Sequence, residues 1–149
     1  MTKSLYAAVA LLALSAAAPA FARATADDAK ALAEKASAYI AAVGEQKAFS
    51  TFNAGDAGFR QGELYVFCYA PDGTSLAYGA NPGFVGKNLA HVKYAEGPSP
   101  SAAIIQTGLA KGEGWVSFKW PNPVTREIED ESAYVKRVNN EVCGVGYYK

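Results

Sequence analysis

One strand in this chain cannot lie in the middle of a sheet, and that constrains the fold most. Residues 111–124 read Lys-Gly-Glu-Gly-Trp-Val-Ser-Phe-Lys-Trp-Pro-Asn-Pro-Val. Trp115, Val116, Phe118 and Trp120 suit a half-buried pleated surface. Gly112 and Gly114 close off the element before them. Pro121 and Pro123 lack the N–H groups that a central strand must offer to two neighbours. The stretch therefore predicts a strand that sets large rings beside a stiffened loop, which is how a small pocket is walled and capped. A period of two puts Val116, Phe118 and Trp120 on one face and Trp115, Ser117 and Lys119 on the other.

The first 22 residues predict a segment absent from the working protein. Lys3 gives a basic start, Ala7 to Ala18 is an apolar run, and Ala20-Phe21-Ala22 is a small-x-small cleavage site before Arg23. The run is short for a bilayer span, so a cleaved secretory leader is expected over an uncleaved anchor. Removing residues 1–22 from the 149 leaves 127, enough for one domain over 23–149. Losing Lys3 takes the 14 basic residues to 13 against 14 acidic ones, a net charge of −1. That balance gives no electrostatic case for nucleic acid or an anionic membrane surface. No second apolar run of spanning length follows, so a soluble periplasmic or secreted protein is expected. The sequence stops at Tyr147-Tyr148-Lys149, directly after its last predicted strand, so any output is expected to come from a separate partner.

Asp27 to about Ser50 predicts a long helix capped by Thr25, with Asp27 and Asp28 at the positive end of its dipole. Leu32, Ala36, Tyr39, Ile40 and Val43 recur at helical spacing, and Gly44 weakens the run enough to bend or split it. Asn53 to Gly62 reads as loop. Leu64–Tyr69 and Ser75–Gly79 read as a hairpin around Pro71-Asp72-Gly73, where Pro presets φ and Gly supplies a positive one. Ser99-Pro100 starts a second helix that Lys111-Gly112 ends. Trp115–Trp120, Ala133–Val138 and Val142–Tyr148 are the remaining strands, the last two joined at Asn139-Asn140. The order predicts an α+β domain with a five-stranded antiparallel sheet and a long N-terminal helix packed on one face.

Several of these stretches, in order, carry a resemblance. They are Tyr65-Val66-Phe67-Cys68-Tyr69, Asp72-Gly73-Thr74, Asn81-Pro82 with Val85-Gly86-Lys87-Asn88-Leu89, Gly114-Trp115-Val116 with Trp120-Pro121-Asn122-Pro123, Ser132 with Tyr134-Val135-Lys136, and Gly144-Val145-Gly146-Tyr147-Tyr148. From about residue 30 to the end, the chain resembles a single Cache domain of the second type. The resemblance implies an extracytoplasmic, PAS-like sensory fold that binds small ligands, often short carboxylates. It also implies signalling through a membrane receptor or kinase, here as a stand-alone exported member. In such sheets the first and last strands are antiparallel neighbours, which sets Cys68 nearly opposite Cys143. With export to oxidising conditions, this predicts a disulfide.

Catalysis is not expected. His91 is the single histidine, and a lone loop histidine reads as a surface residue; no metal-binding pair or Cys-x-x-Cys-His is present. No cofactor or metal is therefore predicted. Glu127, Glu129, Asp130 and Glu131 read as a solvated loop rather than a cation site, since the calcium-loop spacing is absent. The candidate ligand set is Trp120 as a wall, Asn122, Tyr134 and Tyr65 as hydrogen-bond donors, and Arg60 as a bidentate grip on a carboxylate, with Lys119 a weaker cation. Gly144 and Gly146 clear one face of the last strand, either for a ligand or for close approach of a helix. The rival reading is a structural or interaction subunit whose pocket is filled by its own side chains.

Overall fold

The computed structural model describes residues 22–92 and 97–149; except for Ala22, the expected leader lies outside them. The N-terminal helix starts where expected. Thr25 Oγ1 accepts from the Asp28 N–H while the Asp28 carboxyl accepts from the Thr25 N–H, a reciprocal cap. Gly44 splits the helical run outright. Its φ of 84° and ψ of 159° lie outside the helical region, leaving α1 (Ala26–Val43) and α2 (Glu45–Ala54). Helix α2 runs past Ser50 into the predicted loop, and that loop also holds the short strand β1 (Arg60–Gln61).

The remaining elements are β2 (Leu64–Tyr69), β3 (Ser75–Tyr78), α3 (Pro100–Lys111), β4 (Glu113–Pro121), β5 (Ile128–Val138) and β6 (Glu141–Tyr148). All pairings are antiparallel, in the order β1-β2-β6-β5-β4, with β3 also on β2. Among the described residues, strand β4 pairs with β5 alone, the edge position its terminal prolines require. On the far side, Lys87 O accepts from the Ser75 N–H, Gly86 N–H donates to Ser75 O, and Leu89 N–H donates to Gly73 O. Residues 86–89 thus cover the outer edge of β3, which would otherwise be open to pairing.

Helices cover both faces of the sheet. Leu32, Ala36 and Ile40 of α1 and Phe52 of α2 pack on Leu64, Val66, Cys68 and Val145. Ile104 and Ile105 of α3 pack on the opposite face with Tyr65, Phe67, Val135 and Val142. Strand β2 is therefore buried on both sides, residue by residue. Gly108 lets α3 sit tightly on the sheet, since a Cβ there would lie 2.5 Å from the Val142 methyls. Cys68 is register-paired with Cys143 across β2 and β6, with Cα atoms 4.1 Å apart, and the two form a disulfide buried on the α1 face. Among the described residues, no helix is long and apolar enough to cross a membrane.

Candidate functional site

The expected acidic loop is where the sequence reading fails. Strand β5 begins at Ile128, five residues before the expected start, and takes Glu129, Asp130 and Glu131 into the sheet. Alternation then directs Glu131 to the same face as Ala133 and Val135, under α3. Glu131 is 1% exposed, and neither carboxyl oxygen has a hydrogen-bond partner. A charge placed there without a partner is costly, so burial pushes its carboxyl up to about 8, with the Glu63 charge adding to the effect and the neighbouring Tyr148 hydroxyl opposing it. At neutral pH the group is chiefly a neutral acid.

Gly146 makes room for it. A Cβ on Gly146 would meet Glu131 Cδ at 2.6 Å, and one on Gly144 would meet the Phe67 ring at 2.7 Å. The space those glycines leave on the α3 face is filled by a carboxyl and an aromatic ring, rather than by an approaching helix.

Around Glu131 lies a small cavity of about 10 Å³, lined by Tyr65, Tyr69, Tyr78, Phe118, Trp120 and others with Glu131. That is room for one water molecule. The rings form a continuous wall. Tyr78 stands 5.2 Å from Tyr65, 6.5 Å from Trp120 and 5.0 Å edge-on from Phe84, between centroids. The Tyr65 and Tyr78 hydroxyls bond each other at 3.1 Å, and Tyr148 donates to Pro121 O at 3.0 Å. Burial raises all three phenols' pKa values well above the ordinary range, so all three stay protonated.

Of the predicted ligand set, the structure brings Trp120 and Tyr65 together at this cavity. The others lie elsewhere. Tyr134 points to the opposite face, against Trp115 at 5.2 Å and under the Lys30 ammonium. It sits one residue after Ala133 and three after Glu131, so the sheet's period of two separates it from Trp120. Asn122 is buried, but its amide is engaged: Nδ2 donates to Glu63 at 3.1 Å and Glu129 at 3.4 Å, and Oδ1 accepts from the Val124 N–H at 2.8 Å. It closes the Pro-Asn-Pro corner. Arg60 is register-paired with Tyr65, so it belongs to the correct face, but it is exposed at the rim and donates to Gly79 O at 3.4 Å. Lys119 points away and pairs with Asp130 at 3.1 Å. His91 is exposed.

Two further concavities border the domain. An open groove of about 270 Å³ between the start of α3 and β4 shares Pro100 and Phe118 with the Glu131 cavity. A larger one, about 550 Å³, lies beside the start of α1, with Arg23, Glu63 and Thr125 in its lining. Its polar groups are tied to each other and to the Pro-Asn-Pro corner: Arg23 pairs with Glu129 at 2.7 Å, and Glu63 accepts from the Ala24 N–H and from Asn122. Among the described residues, it holds no buried unpaired group comparable to Glu131. No set of three or more His, Cys, Asp or Glu residues converges to hold a metal among the described residues.

Solved structures of similar fold include three sensory domains. A methyl-accepting chemotaxis protein from Vibrio parahaemolyticus RIMD 2210633 aligns with a TM-score of 0.70 at 21% identity, covering 82% of this chain and 86% of that one. The periplasmic sensor domain of a chemotaxis protein aligns at 0.63 and 21%, covering 82% and 88%. A Cache chemosensory domain, described for its recognition of carboxylic acid, aligns at 0.62 and 18%, covering 82% and 86%. At these identities the likeness is one of fold. No curated protein matches the sequence. Residues 20–148 match the family described as single Cache domain 2, which spans both helix-covered faces and the Glu131 cavity. The chain belongs to the single Cache domain 2 family, a family of small-molecule sensing domains.

Proposed function

We propose that this chain is an exported sensor domain that binds a small organic metabolite in the aromatic cavity around Glu131 and signals through a separate membrane receptor or kinase. The observation that carries this reading is the pairing of an unpartnered, buried carboxyl with a wall of rings and hydroxyls on one face of the sheet. A polar group is buried unpaired at a cost of about 1–3 kcal/mol, and a ligand that pairs with it recovers that cost. Such residues are a site's chemistry held ready, whereas a purely structural core would gain by replacing them with apolar ones. The signal-like first 22 residues support export.

A short organic acid is the finer expectation, and it is the class named for one structure of similar fold. It would be held here by the protonated Glu131 and the phenols, with Arg60 at the rim. The interaction-subunit reading draws support from how little open volume the cavity has. A thermal-shift screen of the mature protein with short organic acids, amines and alcohols separates the two. A ligand that binds only the folded state raises the melting temperature in proportion to the logarithm of its concentration. A binder whose effect disappears when the carboxyl is removed by Glu131→Leu supports the sensor. A protein that no metabolite stabilises, but that co-purifies with a folded protein partner, is the interaction subunit.

A further inference from the structure

We infer that removal of the leader completes the fold: hydrolysis of the Ala22–Arg23 peptide bond leaves an α-ammonium on Arg23 that pairs with the Glu63 carboxylate and ties the first residue of the working domain to its sheet. The inference rests on the export part of the reading above and adds a maturation site to it.

The first support is where the cut falls. Ala20-Phe21-Ala22 is a small-x-small signature, and Ala22 and Arg23 are exposed, within reach of a signal peptidase. Water supplies the hydroxyl to the Ala22 carbonyl carbon and a hydrogen to the Arg23 nitrogen. The new carboxyl gives up a proton and the new amine takes one at neutral pH.

The second support is that the chain is bonded to the domain from the first residue after the cut. The Arg23 guanidinium pairs with Glu129 at 2.7 Å and donates to Lys149 O at 2.9 Å. The Ala24 N–H donates to Glu63 Oε1 at 3.1 Å. Asn122 Nδ2 donates to both Glu63 and Glu129. These contacts close a ring that joins the start of α1, the turn before β2 and the β4–β5 corner. Backbone nitrogens of adjacent residues lie less than about 4 Å apart, so the Arg23 nitrogen stands within roughly 7 Å of Glu63 Oε1. Each carboxylate oxygen accepts more than one hydrogen bond, so Glu63 can keep its present partners and take an ammonium.

The third support is charge. The groups facing this end of the chain are Asp28 on α1, Glu63 before β2 and Glu129 on β5, against the guanidinium of Arg23. Gln61 of β1 and Thr125 of the corner complete the polar lining and are neutral. Three carboxylates against one cation leave negative charge for a second cation, and the concavity of about 550 Å³ gives it room.

The test uses protein whose first residue is Arg23, made by export or by a protease that leaves no extra residue. Its α-amino group is titrated by NMR at low salt. The expected result is a proton held at least about threefold tighter than by an ordinary α-amino group, whose pKa is about 7.7–8.0, since a carboxylate roughly 7 Å away supplies that much even through water. Glu63→Gln, which keeps an acceptor for the Ala24 N–H, should remove most of the gain. Glu34→Gln, an exposed carboxyl elsewhere on α1, should leave it. A proton held more tightly in the folded state adds stability that is present below the ordinary value and lost as pH rises through the raised one. The free-amine protein should therefore melt above its α-acetylated form at pH 7, with the difference vanishing in alkali. An α-amino group that titrates in the ordinary range overturns the inference, as does tight binding that ignores Glu63. An exported protein whose mass begins at a residue other than Arg23 overturns it too. Ligand binding in the thermal screen decides the sensor reading separately, because none of these measurements reads the Glu131 cavity.

Discussion

The carboxyl of Glu131 occupies the space that Gly146 leaves empty: a side-chain carbon built on Gly146 would fall 2.6 Å from Glu131 Cδ and 2.8 Å from its Cγ. Both lie on the α3 face, register-adjacent across β5 and β6, where Ala133 pairs with Gly146 and Glu131 with Tyr148. The glycine and the buried acid act as one unit. Gly146→Ala should destabilise the protein by about 1–3 kcal/mol through overpacking. Its cost should shrink by more than about 0.5 kcal/mol in a Glu131→Ala background, since the two residues compete for one volume. Chemical denaturation of the four proteins of that cycle measures the coupling, and additive costs would place Glu131 elsewhere.

Stability should fall as pH rises from about 5 to about 8. Glu131 holds its proton to about pH 8 in the folded protein, against the usual value of 4.5 when unfolded, so the unfolded chain binds fewer protons in that window. The loss is on the order of a few kcal/mol, complete above pH 8, and absent below the unfolded value. Glu141, raised by partial burial and by Glu45, contributes in the same direction. The lowered carboxyls Asp28, Asp72, Glu113 and Glu129 act at more acid pH with the opposite sign. Glu131→Gln should remove most of the slope and stabilise the protein at pH 8. Denaturation midpoints across pH read this directly, and an unchanged slope in the variant would assign the effect to other groups.

The Cys68–Cys143 disulfide closes a loop of 75 residues between adjacent strands. By chain entropy that is worth roughly 4.5 kcal/mol. The unfolded, unreduced protein should show no reactive thiol, and Cys68→Ala/Cys143→Ala should lower the melting temperature by several degrees. Two titratable thiols in material isolated after export would contradict the bond.

Leu32 is 4% exposed against the sheet, so Leu32→Asp should cost several kcal/mol by burying an unpaired charge. Asn122→Ala should cost about 1–3 kcal/mol by freeing Glu63 and the Val124 N–H, while ligand affinity stays within about threefold. A large loss of affinity with unchanged stability would return Asn122 to the ligand set.

Most of the fold was legible because its signals are local. Thr25 with Asp28, the Gly44 break, Pro71-Asp72-Gly73, Ser99-Pro100 and Asn139-Asn140 each fix backbone by short-range chemistry. The paired cysteines followed from strand adjacency in the family the sequence resembles. The surroundings of Glu131 were legible in part. Trp120 stood out by strand alternation and its Pro-Asn-Pro corner, and Tyr65 as a hydroxyl donor, and both line the Glu131 cavity. Tyr134 lies on the face opposite Trp120 because the register of β5 against β4 pairs it with Trp115, and that register is set between separate segments. Glu131 was read as part of a solvated loop because four acidic residues stand in a span of five, and only the sheet shows that one of them points inward. The available signal was Gly146: a side-chain-free position beside an acidic strand marks where a buried group needs room.

The most direct test of the account watches Trp120. The chain has two tryptophans, and Trp115 is 43% exposed on the other face, so Trp115→Phe leaves Trp120 as the only indole reporter. Titrating that protein with the metabolite that the thermal screen returns should change Trp120 emission saturably, with the same midpoint as its calorimetric isotherm. The Glu131→Gln version should shift both midpoints together. A ligand that stabilises the protein while Trp120 emission stays constant binds outside this cavity and contradicts the assignment of the site.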